Sequence, residues 1–357
     1  MVRRTLASCL VIAACGGGSS ATDDAGTSTD APASTSGGAV ESSGVHGESS
    51  GAGTSSSAST TSVDTSGEAS SSSAQDESSE SAIDPCATLP DPSPKWLIAD
   101  LQDTVARLSG ESELQPGITL SDRAGAMRRG QAAAWLLERF GELGLDGQGH
   151  GYGSGTNVWA RLPATVASEG TLVLGAHYDG VPNSPAAADN GTGTAAVLAA
   201  ARHLQEVECR RYDVIFVLFD EEESGLVGSS AYAGKLITDD EPIVAVHSID
   251  MISFDGDGDG VIEIDQPDAG LFELYEAAAM ELGLAVVATD SVATDYQSFQ
   301  QAGIPACGLM EEWNNGDHTP YWHTPMDSYA QIDFEYLATG SALVHHTFAR
   351  LLNPDAG

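Results

Sequence analysis

Basic side chains are scarce in this chain of 357 residues: 14 Lys and Arg stand against 52 Asp and Glu, a formal net charge of -38. No basic stripe exists to neutralise phosphates, which excludes the usual nucleic-acid binders. Aromatic residues make up only 6% of the chain, and residues 15–82 hold no Trp, Tyr or Phe at all. Ser, Thr, Gly and Ala with scattered acids fill that stretch, so it lacks the apolar surface needed to offset chain entropy and is expected to be disordered. Long apolar runs are also missing. The stretch at residues 5–14 is too short to span a bilayer, and no other segment is long and apolar enough to cross one. Cysteines number five, in no zinc-ligand spacing. With Cys9 and Cys15 near the start, Cys86, Cys209 and Cys307 remain; one disulfide is expected to involve Cys86, its partner open, and Cys307 reads as a buried free thiol.

Residues 1–15 read as an export signal: Arg3 and Arg4, a short apolar stretch, then Ile12-Ala13-Ala14-Cys15. The run resembles the lipobox of bacterial lipoproteins, which implies lipidation of Cys15 and membrane contact through a lipid anchor only. A cleaved signal with an incidental Cys is the plainer alternative. The expected organisation is a signal at 1–15, a Ser/Thr/Gly-rich tether at 16–85 and a folded domain at 86–357, a length that suits one α/β domain.

Within the folded part, helical spacing appears at residues 96–108 and 130–143. Short β-rich runs at 157–162, 171–176, 214–219 and 243–249 then alternate with helical stretches at 193–204 and 225–236. Further strands are expected at 261–264, 285–288 and 306–309, and helices at 270–282 and 334–352. Strand and helix in turn predict a three-layer α/β/α sandwich around a mostly parallel sheet.

Acidic and His residues fall at the ends of those strands. His177 and Asp179 follow Thr-Leu-Val-Leu-Gly-Ala, Glu221, Glu222 and Glu223 come after Val-Ile-Phe-Val-Leu-Phe and Asp220, and Asp250 closes Val-Ala-Val-His-Ser-Ile. Parallel strands aim their C-terminal ends at one crevice, so three segments converge on one place. Asp189 precedes a helix in Ala-Asp-Asn-Gly, and a late loop reads Trp322-His323-Thr-Pro-Met-Asp327-Ser. One acid leaving a strand usually makes a turn or cap; the ordered set is more specific.

Taken together, His-Tyr-Asp, Ala-Asp-Asn-Gly, Asp-Glu-Glu-Glu-Ser-Gly-Leu-Val-Gly-Ser, Ile-Asp-Met-Ile, Thr-Asp-Tyr-Gln-Ser-Phe and Trp-His-Thr-Pro-Met-Asp-Ser resemble the bacterial co-catalytic zinc aminopeptidases. The wider family includes some carboxypeptidases and the glutaminyl cyclases. The resemblance implies two zinc ions: His177 and Asp250 on one, Glu223 and His323 on the other, Asp189 bridging, and Glu222 as general base. The Glu triplet takes its register from the Gly-Leu-Val-Gly-Ser that follows, with Ser224 between, which makes Glu221 a flanking residue. Imidazole and carboxylate suit Zn²⁺, with Co²⁺ or Mn²⁺ as alternatives. Asp179 fits a role in orienting His177, and Asp327 a similar one near His323 or a turn. Asp295 reads as a pocket residue, a supporting residue or a helix cap.

Where the aminopeptidases often carry Tyr before the last His, this chain has Trp322, with Tyr321 one place earlier; Trp there is also seen in glutaminyl cyclases. The functional readings are therefore an aminopeptidase acting on peptide or protein N-termini, a glutaminyl cyclase-like acyltransferase or carboxypeptidase, and, from another class, a non-catalytic surface-binding domain. Separately, Asp255-Gly-Asp257-Gly-Asp259-Gly resembles the start of a calcium loop, although its twelfth position is Gln266; the alternative is a solvated acidic turn.

Overall fold

A computed structural model describes residues 84–290, 294–314 and 316–356. The signal, Cys15 and nearly all of the tether lie outside the described residues.

Eight strands form one sheet in the order β1-β2-β4-β3-β5-β8-β6-β7. They are β1 (Gln148–Tyr152), β2 (Gly155–Leu162), β3 (Thr171–His177), β4 (Asp213–Phe219), β5 (Ile243–Ile249), β6 (Ile262–Asp265), β7 (Val286–Thr289) and β8 (Ala306–Met310). The central four, β4, β3, β5 and β8, are parallel. Their unbroken apolar runs have no polar face because both faces are covered: β3 is buried at every residue and β4 at all but its first. Alternate residues divide between two cores. Leu172, Leu174, Val214, Phe216 and Leu218 enter the larger, while Val173, Ile215, Val217 and Phe219 enter the smaller.

The larger core is closed by α1 (Leu97–Leu108), α2 (Ala126–Glu142), α3 (Gly193–His203), α5 (Leu271–Leu282) and α7 (Phe334–Leu352); the smaller is closed by α4 (Val227–Thr238) and α6 (Tyr296–Gln301). The three-layer α/β/α architecture is as expected. The sheet is more mixed at its flanks, where β1 and β2, β2 and β4, and β6 and β8 pair antiparallel. β1, Gln-Gly-His-Gly-Tyr, carries no strand pattern of its own and forms because a tight turn folds it back on β2.

Helix ends differ from the expected ones for local reasons. α2 begins a turn earlier than its apolar residues suggest, because Arg128 pairs with Asp122 and Arg129 with Asp220 and Glu221. α4 begins later, since Gly225 and Leu226 both adopt left-handed backbone (φ 101° and 60°). That turn seats α4 against the end of β4: a Cβ on Gly228 would lie 2.0 Å from the Asp220 carbonyl oxygen. Cys86 is disulfide-bonded to Cys209, and Cys307 is free and buried. Among the described residues no helix is long and apolar enough to cross a membrane.

Candidate active site

His177 is the last residue of β3, the Glu triplet follows β4 and Asp250 follows β5, so strand pairing alone brings these side chains to one crevice. Asp189 joins them from the segment entering α3. Asn190 fastens that segment to β5: its amide donates to the Ile249 carbonyl (2.8 Å), and its oxygen accepts from Gly193 N (2.8 Å) and Met251 N (3.3 Å). Asp189 and Asp250 are thus held relative to each other by one neutral side chain.

The two oxygens of Asp189 face different partners. Oδ1 lies 3.3 Å from His177 Nε2, which is 3.5 Å from Asp250 Oδ1. Oδ2 lies 3.0 Å from His323 Nε2, which is 2.9 Å from Glu223 Oε2. His177, Asp189 and Asp250 form one set of ligand-type atoms within 4.8 Å, and Asp189, Glu223 and His323 form another. His177 with Glu222 and Glu223 meets the same limit, so proximity alone does not separate the two glutamates.

This donor chemistry fits metal ions. His177 Nε2, Asp250 Oδ1 and Glu223 Oε1 are buried without a hydrogen-bond partner, a costly arrangement for polar atoms unless a cation completes it. Burial pushes the Glu222 carboxyl up to about 10 and that of Glu223 to about 8. The hydrogen bond to Asp189, opposed by partial burial, holds the His323 imidazole above its usual range. A knot of carboxylates this dry favours either protons or metal cations.

Asp179 approaches His177 Nδ1 at 3.4 Å and accepts from the backbone N–H groups of Glu222 (3.0 Å) and Glu223 (3.3 Å). It therefore addresses the Glu pair as well as the imidazole. Glu221 is turned away, paired with Arg129 and accepting from Ser154 Oγ (2.6 Å). Asp295 is buried at the start of α6 and makes no side-chain cap bond; Oδ1 has no partner. Asp327 donates its N–H to the Thr324 carbonyl (3.1 Å) in a turn, and its carboxylate accepts from Ala188 N (2.7 Å) and Asp189 N (3.2 Å).

The cavity over this cluster is lined by Asp189, Glu222, Glu223, Asp250, Met251, Thr294, Met310, Trp313, Trp322 and His323. Trp322 faces it and Tyr321 is not among its lining. Trp322 stacks on Trp313 (centroids 5.4 Å apart), which stacks on His318 (4.2 Å). Sequence reasoning did not single out Trp313, nor Glu311, whose carboxylate accepts from Ser253, Phe254 and Thr319 and so orders two loops beside the cavity. It also missed Arg123, fully buried behind the site. A Trp and a Glu after a strand are faint signals; an Arg in a loop remote in sequence is none.

Asp255, Asp257 and Asp317 bring oxygens together elsewhere, as do Asp257, Asp259 and Glu312. Much of the carboxylate capacity there is used on the loop itself, with Asp255 accepting from Gly258 N and Gly260 N and Asp317 from Gly256 N and Asp257 N.

The chain is similar to aminopeptidase YwaD of Bacillus subtilis, 30% identical over 195 residues that cover 52% of the chain and 42% of the relative. It spans about half the length of the curated relatives it matches. A solved zinc aminopeptidase from B. subtilis matches with a TM-score of 0.52 at 25% identity, covering 57% of this chain and 51% of that one. A glutaminyl cyclase from an Acidobacteriales bacterium matches in fold, TM-score 0.58 at 21% identity, covering 73% and 96%. The model of peptidase family M28 matches residues 157–348, more than half of the chain and the whole of the cluster above. The chain belongs to peptidase family M28.

Proposed function

We propose that the protein is a zinc aminopeptidase with two metal positions: His177 and Asp250 at one, Glu223 and His323 at the other, and Asp189 shared. The observation that carries this reading is the division of the two Asp189 oxygens between two His/carboxylate pairs. Zinc, when bound, supplies Lewis acidity toward water and the scissile carbonyl. Glu222, assigned by the register of the residues after it, takes the proton of the attacking water and returns it to the leaving amine. Asp179 fixes the backbone of the Glu pair and the orientation of the His177 ring. The cavity, about 200 Å³, suits a terminal residue better than an extended chain, which favours an exopeptidase.

Charge separates amino- from carboxypeptidase action. Among the described residues no Lys or Arg lines the cavity, and Arg129 is spent on Asp220 and Glu221. Among the described lining residues a peptide carboxylate finds no basic side chain, which supports the aminopeptidase reading. The glutaminyl cyclase reading rests on Trp322 facing the cavity and on the shared fold; two complete ligand sets favour hydrolysis.

The test is hydrolysis of aminoacyl-nitroanilides and N-blocked peptides, with and without chelator, beside Glu222→Gln. Free-amine substrates should be cut and blocked ones spared. Chelator should abolish turnover, and Glu222→Gln should lower kcat roughly 100- to 10,000-fold with zinc retained. Cyclisation of N-terminal Gln without peptide cleavage would instead establish the cyclase.

For location, the sequence supports export, a lipid anchor at Cys15 and a tether over residues 16–85 ahead of the catalytic domain. Peptide or protein N-termini outside the cytoplasm are then the substrates. A calcium ion at Asp255, Asp257 and Asp259 is proposed for the acidic loop, where Asp317 adds an oxygen from a distant segment.

A further inference from the structure

We propose that Arg123 and Asp327 form a charged clamp on the segment carrying Asp189, and that this clamp presets the spacing of the metal-binding positions. The proposal rests on the zinc-centre reading above.

Arg123 is fully buried, an environment in which a guanidinium persists only when its donors are satisfied. All four of its recorded hydrogen bonds go to backbone carbonyls: Nε to Tyr178 (2.5 Å), Nη1 to Leu108 (2.9 Å) and Pro185 (3.0 Å), and Nη2 to Ala186 (2.7 Å). Tyr178 immediately follows His177, while Pro185 and Ala186 lie just ahead of Asp189. One side chain therefore holds both ends of the connection between two of the proposed ligands.

Asp327 grips the same segment from its amide side. Its carboxylate accepts from Ala188 N and Asp189 N, and its own carbonyl accepts from Ala187 N (3.3 Å). Asp327 is fully buried and lies four residues beyond His323, so the grip ties the last ligand loop to the bridging residue. The segment needs such holding because Asn183 and Ala186 both adopt left-handed backbone (φ 65° and 55°), a conformation that side chains with a Cβ disfavour.

Neither clamp residue lines the cavity, so both act through Asp189 as positioning residues. Burial lowers the Arg123 pKa, while the charges of Asp327, Asp179, Asp189 and Glu223 around it favour the charged form of the guanidinium. Lysine cannot replace it. Its three donors radiate from one atom, whereas the acceptors here surround a planar fork.

The experiment uses the full chain as wild type, Arg123→Lys and Asp327→Asn, each held well below its own Tm as measured by circular dichroism. Zinc affinity is read by competition with a chromophoric chelator, and ligand geometry by the visible spectrum after loading with Co²⁺. Expected is zinc binding weakened about 10- to 100-fold in both folded variants, with an altered Co²⁺ spectrum. Wild-type affinity and spectrum in both variants, with only a lower Tm, would overturn the clamp. Should Arg123→Lys fail to fold, Asp327→Asn decides by the same criteria. A wild type that binds no zinc overturns the metal-centre reading itself, and the clamp with it.

Discussion

Buried histidines away from the cluster show how one residue type divides by environment. His177 faces several carboxylates, whereas His203, His247 and His345 are fully buried away from that cluster. His247 meets the Tyr275 hydroxyl at 2.9 Å and Cys307, and His203 stacks on His345 with centroids 4.3 Å apart. Burial pushes His203 down to about 4 and His247 and His345 down to about 3. In the unfolded chain each takes a proton near pH 6.5, so between that value and the folded pKa the unfolded state binds more protons. Stability must then fall with pH from about 6.5 downward, by up to about 1.4 kcal/mol per pH unit for each such histidine. His247→Gln should flatten the Tm-against-pH curve over pH 4.5 to 7 relative to wild type. Superimposable slopes would refute a neutral, buried His247.

At the scale of elements, strand ends bring His177, the Glu triplet and Asp250 together, and loops add Asp189 and His323. The register of β3 against β4 and β5 is built from short, largely apolar runs, so the three strand ends were legible from pattern alone. The acidic loop at 255–259 was legible as a motif but not as a contact, because Asp317 reaches it from about sixty residues away. If calcium binds there, it relieves repulsion among carboxylates that already lie close together. Added calcium should raise Tm by a few degrees, with magnesium weaker and Asp257→Asn removing the effect. Equal Tm with calcium and with chelator would leave the loop as an acidic turn. β1 and α6 escaped sequence reading because one is glycine-rich and the other spans only six residues.

For the molecule as a whole, the Cys86–Cys209 bond joins the start of the described residues to the connection before β4, across a separation of 123 residues. Asn353 adds the C-terminal end by donating to the Cys86 carbonyl (2.9 Å). Closing so long a loop restricts the unfolded ensemble, so Cys86→Ser should lower unfolding stability by about 2–5 kcal/mol in denaturant melts. An unchanged midpoint, or a wild type insensitive to reductant, would count against that contribution. Spacing could nominate Cys86 but not its partner, since the choice depends on which surfaces the finished fold brings within bonding reach.

The sequence by itself determined the sandwich and the ordered acids and histidines at strand ends. Apolar periodicity and short motifs are local, and a parallel sheet converts them into a shared crevice without further information. Only the tertiary structure decided that Asp189 divides its oxygens, that Trp313 walls the cavity, that Asp327 serves Asp189, and that Arg123 stands behind the site. The bonds from Arg123 to Tyr178 and from Ala188 to Asp327 cross 55 and 139 residues and end on a backbone carbonyl and a backbone amide. Every residue carries such groups, so no pattern of residue types marks which of them a distant side chain will reach.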